Sequence, residues 1–100
     1  MRVAIIGGGT IARLFLEHIK RGELGDAAVA AVMGRNDRSR GKALAAEFGI
    51  RFVTSLADLL AQRPDVVVEA ASHDAVREYC GTLLDKGVSV IVLSTTAMFR

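Results

Sequence analysis

The sequence predicts an α/β fold in which a parallel sheet of about five strands is doubly wound, with helices on both faces. Short, β-branched apolar runs alternate with segments of helical period along the whole chain. The helical segments are closed by glycines or by the single proline. Of the hundred residues, 51% are hydrophobic and 24% charged, the balance of a folded soluble domain rather than of a disordered chain.

Arg2–Ile6 reads as a buried strand, being short, β-branched and followed at once by Gly7-Gly8-Gly9. Residues 10–21 take up the helical period, with Ile11, Leu14, Phe15 and Ile19 on the apolar face and Gly22 and Gly25 at the exit. A second strand over residues 27–33 leads to a helix over 39–48 that Gly49 closes, and residues 51–54 give a short third strand. Ser55-Leu56-Ala57-Asp58 has the form of a capping box, with Asp in place of the usual Glu or Gln, and opens a small helix that stops before Pro64. The fourth strand covers 65–70. Residues 73–86 form the clearest helix, because Val76, Tyr79, Cys80, Leu83 and Leu84 follow the i, i+3, i+4, i+7, i+8 pattern before Gly87 ends it. Residues 88–93 supply the fifth strand.

Strands alternating with helices in this way build βαβ units, which place parallel strands in one sheet through right-handed crossovers. No repeat, low-complexity segment or linker divides the chain, so residues 1–100 are expected to be one domain. The chain stops just beyond the fifth strand with no closing element. The expectation is a domain truncated from a longer protein, with the substrate domain elsewhere.

Thirteen Lys and Arg against eleven Asp and Glu leave a net charge of +2, spread along the chain apart from Arg35, Arg38, Arg40 and Lys42; no nucleic-acid surface is expected. Glu69, Asp85 and Lys86 interrupt the most apolar region, so no stretch reaches the roughly 18 residues of a membrane span. The run at residues 3–6 is too short for a signal peptide. The lone Cys80 cannot form an internal disulfide, no Cys/His group has metal-ligand spacing, and a cytoplasmic setting is expected.

The chemistry concentrates at Gly7-Gly8-Gly9-Thr10-Ile11-Ala12, which matches G-x-G-x-x-[GA] between a strand and a helix. Gly7 permits the tight turn, Gly9 lets the backbone approach a pyrophosphate, and Ala12 lets helix and strand pack closely. The helix opening at Thr10 and Ile11 points its free N–H groups and positive end at the phosphates. This is the fingerprint of a Rossmann-type fold that binds NAD or NADP. At the end of the second strand, where a carboxylate would hold the adenosine ribose and favour NAD, the chain has Gly34-Arg35-Asn36. Arg35 suits a 2′-phosphate and Arg38 or Arg40 adds positive charge, so NADP is slightly favoured; Asp37 is the acidic alternative, and Arg40 reads chiefly as a solvated helix start.

The fourth strand ends in Glu69-Ala70-Ala71-Ser72-His73, on the side where an open α/β sheet binds its ligand. The small Ala70, Ala71 and Ser72 would admit the nicotinamide half of the cofactor, and Ser72 also suits a helix N-cap. His73 could transfer a proton but reads chiefly as a first-turn helix residue at the rim, and Glu69 reads as a residue that orients a loop or binds the ribose, or as a buried structural carboxylate. Cys80 reads as a buried structural thiol and His18 as a complement to a helix terminus. No catalytic or metal-binding residue is assigned.

Val66-Val67-Val68-Glu69-Ala70-Ala71-Ser72, Ala75-Val76-Arg77-Glu78-Tyr79 and Val90-Ile91-Val92-Leu93-Ser94-Thr95-Thr96-Ala97 together resemble the amino-terminal domain of the L-aspartate dehydrogenase family. In that family V-E-A-A-S, A-V-x-x-Y and S-T-x-A follow the glycine loop. The related glucose-fructose oxidoreductase family runs from its fifth strand into E-K-P, where this chain has Ser94-Thr95-Thr96-Ala97. The resemblance implies an enzyme that oxidises L-aspartate to iminoaspartate with hydride transfer to the nicotinamide, the imine feeding NAD biosynthesis or hydrolysing to oxaloacetate and ammonia. It implies that Ala97 contacts the cofactor on the nicotinamide side and that the catalytic residues, the amino-acid substrate contacts and any homo-oligomer interface lie in a carboxy-terminal domain. Thr96 replaces a common glycine, and Met98-Phe99-Arg100 departs from the usual F/L-A-D. The alternatives are a glucose-fructose oxidoreductase-like or homoserine dehydrogenase-like enzyme and a non-enzymatic NAD(P)-sensing module.

Overall fold

A computed structural model of the chain describes residues 1–23, 25–36, 38, 40–70 and 73–92, the side chains of 73–78 excepted. Five strands, β1 (Arg2–Ile6), β2 (Ala28–Met33), β3 (Arg51–Val53), β4 (Val66–Glu69) and β5 (Ser89–Val92), form one parallel sheet in the order β3-β2-β1-β4-β5. Helices α1 (Thr10–Lys20), α2 (Arg40–Phe48), α3 (Leu56–Ala61) and α4 (His73–Asp85) make the crossovers. The chain winds outward from β1 to β3, returns to the other side of β1, and winds outward again. The switch between β1 and β4 opens a crevice at the carboxyl ends of the strands.

The central strands are apolar at almost every position because both faces are covered. Alternation then sorts their side chains. Ala4 and Ile6 of β1, Ala31 and Met33 of β2 and Val67 of β4 join Leu59 of α3 and Leu83 of α4 in one core layer. Val3, Ile5, Val32 and Val68 turn the other way and pack with Ala12 and Leu16 of α1 and Leu44 and Ala45 of α2. A bidentate pair between Arg13 and Glu47, with contacts of 2.5 and 2.8 Å, ties α1 to α2 outside that second layer.

Helix ends follow the sequence signals. Ser55 caps α3, its hydroxyl accepting from the Asp58 N–H at 3.1 Å. Gly87 closes α4 in the left-handed region (φ 77°), which lets the Val88 N–H reach back to the Leu83 carbonyl at 3.0 Å.

Two expected helix faces are corrected. In α1 the buried residues are Ala12 and Leu16, Phe15 is partly buried beside them, and Leu14 is 50% exposed. Leu14 stands about 200° around the helix from Ala12 at 3.6 residues per turn, and the small Ala12 is the position that lets the helix sit close to the sheet. In α4 the core residue is Leu83, with Tyr79 packed beside it, whereas Leu84 is 57% exposed and Cys80 is only half-buried. The side chain of Val76 lies outside the described residues. The His18 Nδ1–H donates a 2.8 Å hydrogen bond to the Glu23 carboxylate beyond the helix end.

Candidate functional site: a glycine cradle at the switch point

Four strand ends are held side by side by hydrogen bonds that continue the ladder into the loops. The Gly7 N–H donates to the Met33 carbonyl at 3.0 Å, the Gly34 N–H to the Val53 carbonyl at 3.0 Å, and the Ala70 N–H to the Ile6 carbonyl at 2.9 Å. The structure therefore brings the glycine loop after β1, the turn after β2 and the start of the loop after β4 to one edge of the sheet.

Gly7 has φ 123°, a conformation that side chains rarely adopt, and it turns the chain from β1 toward α1. Gly9 is the N-cap of α1 and has no side chain to offer the first-turn N–H groups, while the first turn contains no acidic residue. Thr10 is exposed and Ile11 half-buried at this helix start. Ala12 is wholly buried, so its part is close packing rather than contact with a ligand. An uncapped helix start, preceded by glycines and with no acidic residue in its first turn, is chemically suited to a pyrophosphate, so these residues fit a dinucleotide.

The turn after β2 places Arg35 and Asn36 on the surface. The Asn36 side chain is engaged locally, its Oδ1 accepting from the Arg38 N–H at 2.8 Å, which shapes the turn. Ala70 is partly buried at the end of β4, against the α1/α2 layer. Glu69 is 1% exposed, a position that fits its reading as a buried structural carboxylate. Asp37, Ala71, Ser72 and Ala97, with the Ser94-to-Ala97 motif, lie outside the described residues.

One participant was not assigned from the sequence. The start of α2 lies against the glycine loop: a Cβ built on Gly8 would stand 2.2 Å from the Gly41 nitrogen and 2.8 Å from the Arg40 carbonyl carbon. Gly41 is itself buried, with Val32, Phe52 and the Gly7 carbonyl around the place of a Cβ. The signal was present in the sequence, since a glycine in the first turn of a helix costs stability unless another backbone approaches it there.

The fold and this cradle define an NAD(P)-binding domain of the doubly wound class. The chain belongs to the family described as homoserine dehydrogenase, NAD binding domain, whose model matches residues 7–99. It is homologous to L-aspartate dehydrogenases. It is 33% identical over 97 residues to that of Archaeoglobus fulgidus, covering 97% of this chain and 36% of the relative. With L-aspartate dehydrogenase 2 of Bordetella pertussis it shares 37% over 100 residues, covering 97% and 35%. The chain thus spans little more than a third of the length of these relatives. Among solved structures, GenD2 from gentamicin A biosynthesis in complex with NAD superposes with a TM-score of 0.74 at 28% identity, over 92% of this chain and 26% of that one. UDP-N-acetylglucosamine 3-dehydrogenase GnnA from Acidithiobacillus ferrooxidans gives 0.72 at 25%, over 92% and 28%. Among the described residues no helix is long and apolar enough to cross a membrane, and no group of His, Cys, Asp and Glu could hold a metal ion.

Proposed function

We propose that this domain holds the cofactor of an L-aspartate dehydrogenase, and that it works joined to a catalytic domain of the kind that makes up the rest of its relatives' length. The observation that carries the reading is the identity of 33–37% with L-aspartate dehydrogenases over nearly the whole chain. The nicotinamide supplies the hydride acceptor when the cofactor is bound. Gly7 turns the chain into the loop, Gly9, Thr10 and Ile11 hold the pyrophosphate through backbone N–H groups, and the buried Ala12 keeps α1 close enough to the sheet for them to do so. The small Ala70, Ala71 and Ser72 would admit the nicotinamide half, and Ala97 would contact the cofactor on the nicotinamide side through its backbone. L-Aspartate loses a hydride from Cα and a proton from its amine to give iminoaspartate, which water converts to oxaloacetate and ammonia, or which enters NAD biosynthesis in a cytoplasmic setting.

Arg35 and Asn36 border the adenosine ribose. With no carboxylate in the first two positions after Gly34, Arg35 is available to a 2′-phosphate, and NADP is slightly favoured over NAD.

Fluorescence titration with NADPH and NADH tests the cofactor half: tighter NADPH binding is expected, and tighter NADH binding overturns the role of Arg35. Reduction of NADP+ by the protein joined to its catalytic domain tests the substrate half. L-Aspartate is expected to support it, whereas a preference for L-homoserine, which the family model suggests as the second reading, would overturn the assignment.

A further inference from the structure

We propose that Arg40, the first residue of α2, is a pyrophosphate ligand that serves NAD and NADP alike, in contrast to Arg35, which reads the 2′-phosphate. The inference rests on the NAD(P)-binding reading above and adds a side chain to a cradle otherwise made of backbone.

The geometry brings the guanidinium to the glycine loop. Arg40 Nη2 lies 3.6 Å from the point a Cβ on Gly9 would occupy, and Gly9 is where the loop backbone would face a pyrophosphate. The backbone that carries this side chain is anchored beside the loop. Gly41 is buried between Val32 and Phe52 and abuts Gly8, so the start of α2 cannot slide along the loop without breaking that contact.

The electrostatics point the same way. The ion pairs among the described residues are Arg13–Glu47, His18–Glu23 and Arg21–Glu23, so no described carboxylate neutralises Arg40. Neither α1 nor α2 carries an acidic residue in its first turn. A dinucleotide brings two negative charges to the loop, and the start of α1 offsets only about half a charge. A planar guanidinium above Gly9 can donate two hydrogen bonds to those oxygens. Arg35 sits instead at the tip of β2, where the adenosine ribose would end. The two arginines thus separate the functions of general affinity and cofactor choice.

Titration of wild type, Arg40→Gln, Arg40→Lys and Arg35→Gln with NADH and with NADPH tests this, with circular dichroism to check folding. Arg40 is exposed, so the substitutions remove no core contact. Arg40→Gln is expected to weaken both nucleotides by the same factor, roughly tenfold, as for one hydrogen bond to a charged group. Arg40→Lys is expected to keep part of the affinity for both, and Arg35→Gln to weaken NADPH alone. Wild-type NADH affinity retained in Arg40→Gln would overturn the proposal, as would loss confined to NADPH, which would make Arg40 a 2′-phosphate ligand. Wild type binding neither nucleotide would instead sink the NAD(P)-binding reading on which the proposal rests.

Discussion

Gly8 and Gly41 meet backbone to backbone: the place of a Gly8 Cβ is 2.2 Å from the Gly41 nitrogen and 2.5 Å from its Cα. This contact presses the start of α2 onto the glycine loop. The atoms in the way are backbone and cannot rotate aside, so Gly8→Ala is expected to destabilise the fold by about 1–3 kcal/mol, in the range of other overpacked positions. Urea unfolding followed by circular dichroism measures it, and unchanged stability would show that the contact is loose.

Gly81 supplies the opposite case. It lies inside α4 with no described atom within 4 Å of a Cβ, so nothing among the described residues demands glycine there. Gly81→Ala is expected to stabilise the protein by about 0.5–1 kcal/mol through helix propensity and reduced freedom of the unfolded chain. The same unfolding measurement checks the sign.

Removing the cap of α3 gives a third outcome. Ser55→Ala leaves the Asp58 N–H without its acceptor and is expected to cost about 1 kcal/mol, whereas Ser55→Asp should retain most of the stability.

The Arg13–Glu47 pair makes stability depend on pH. The hydrogen bond from Arg13, aided by its charge, holds the Glu47 carboxyl below its ordinary value of 4.5. A carboxyl depressed in the folded state contributes stability above its unfolded pKa and loses it as pH falls through the folded one. Glu47→Gln is therefore expected to lower stability slightly at neutral pH and to flatten the loss of stability below about pH 4.5. Both side chains are substantially exposed, so the effect should be smaller than that of Gly8→Ala. Denaturant midpoints of the two proteins, taken stepwise through the acid range, give the comparison. Parallel curves would contradict it.

The order and type of the elements were legible because each strand is a short apolar run and the helix ends carry their own signals, as at Ser55 and Gly87. The glycine loop was equally legible, since its spacing between a strand and a helix leaves few other conformations. Facing was less so. Leu14 and Leu84 fit an apolar periodicity yet point outward, because large aliphatic residues satisfy a pattern whether or not the sheet lies on that side. The place of Arg40 was not legible at all, since it depends on how close α2 comes to a loop more than thirty positions earlier in the chain. Only Gly41 hinted at that approach.

The central claim is that a dinucleotide lies across the glycine loop, and the most direct test is a nitrogen–proton correlation spectrum recorded as NADH is added. The expected result is a set of concentration-dependent shifts at Gly7 to Ala12, Arg35, Arg40 and Ala70, with the α3 amides unmoved. Shifts that spare the glycine loop, or no shifts at any NADH concentration, would contradict it.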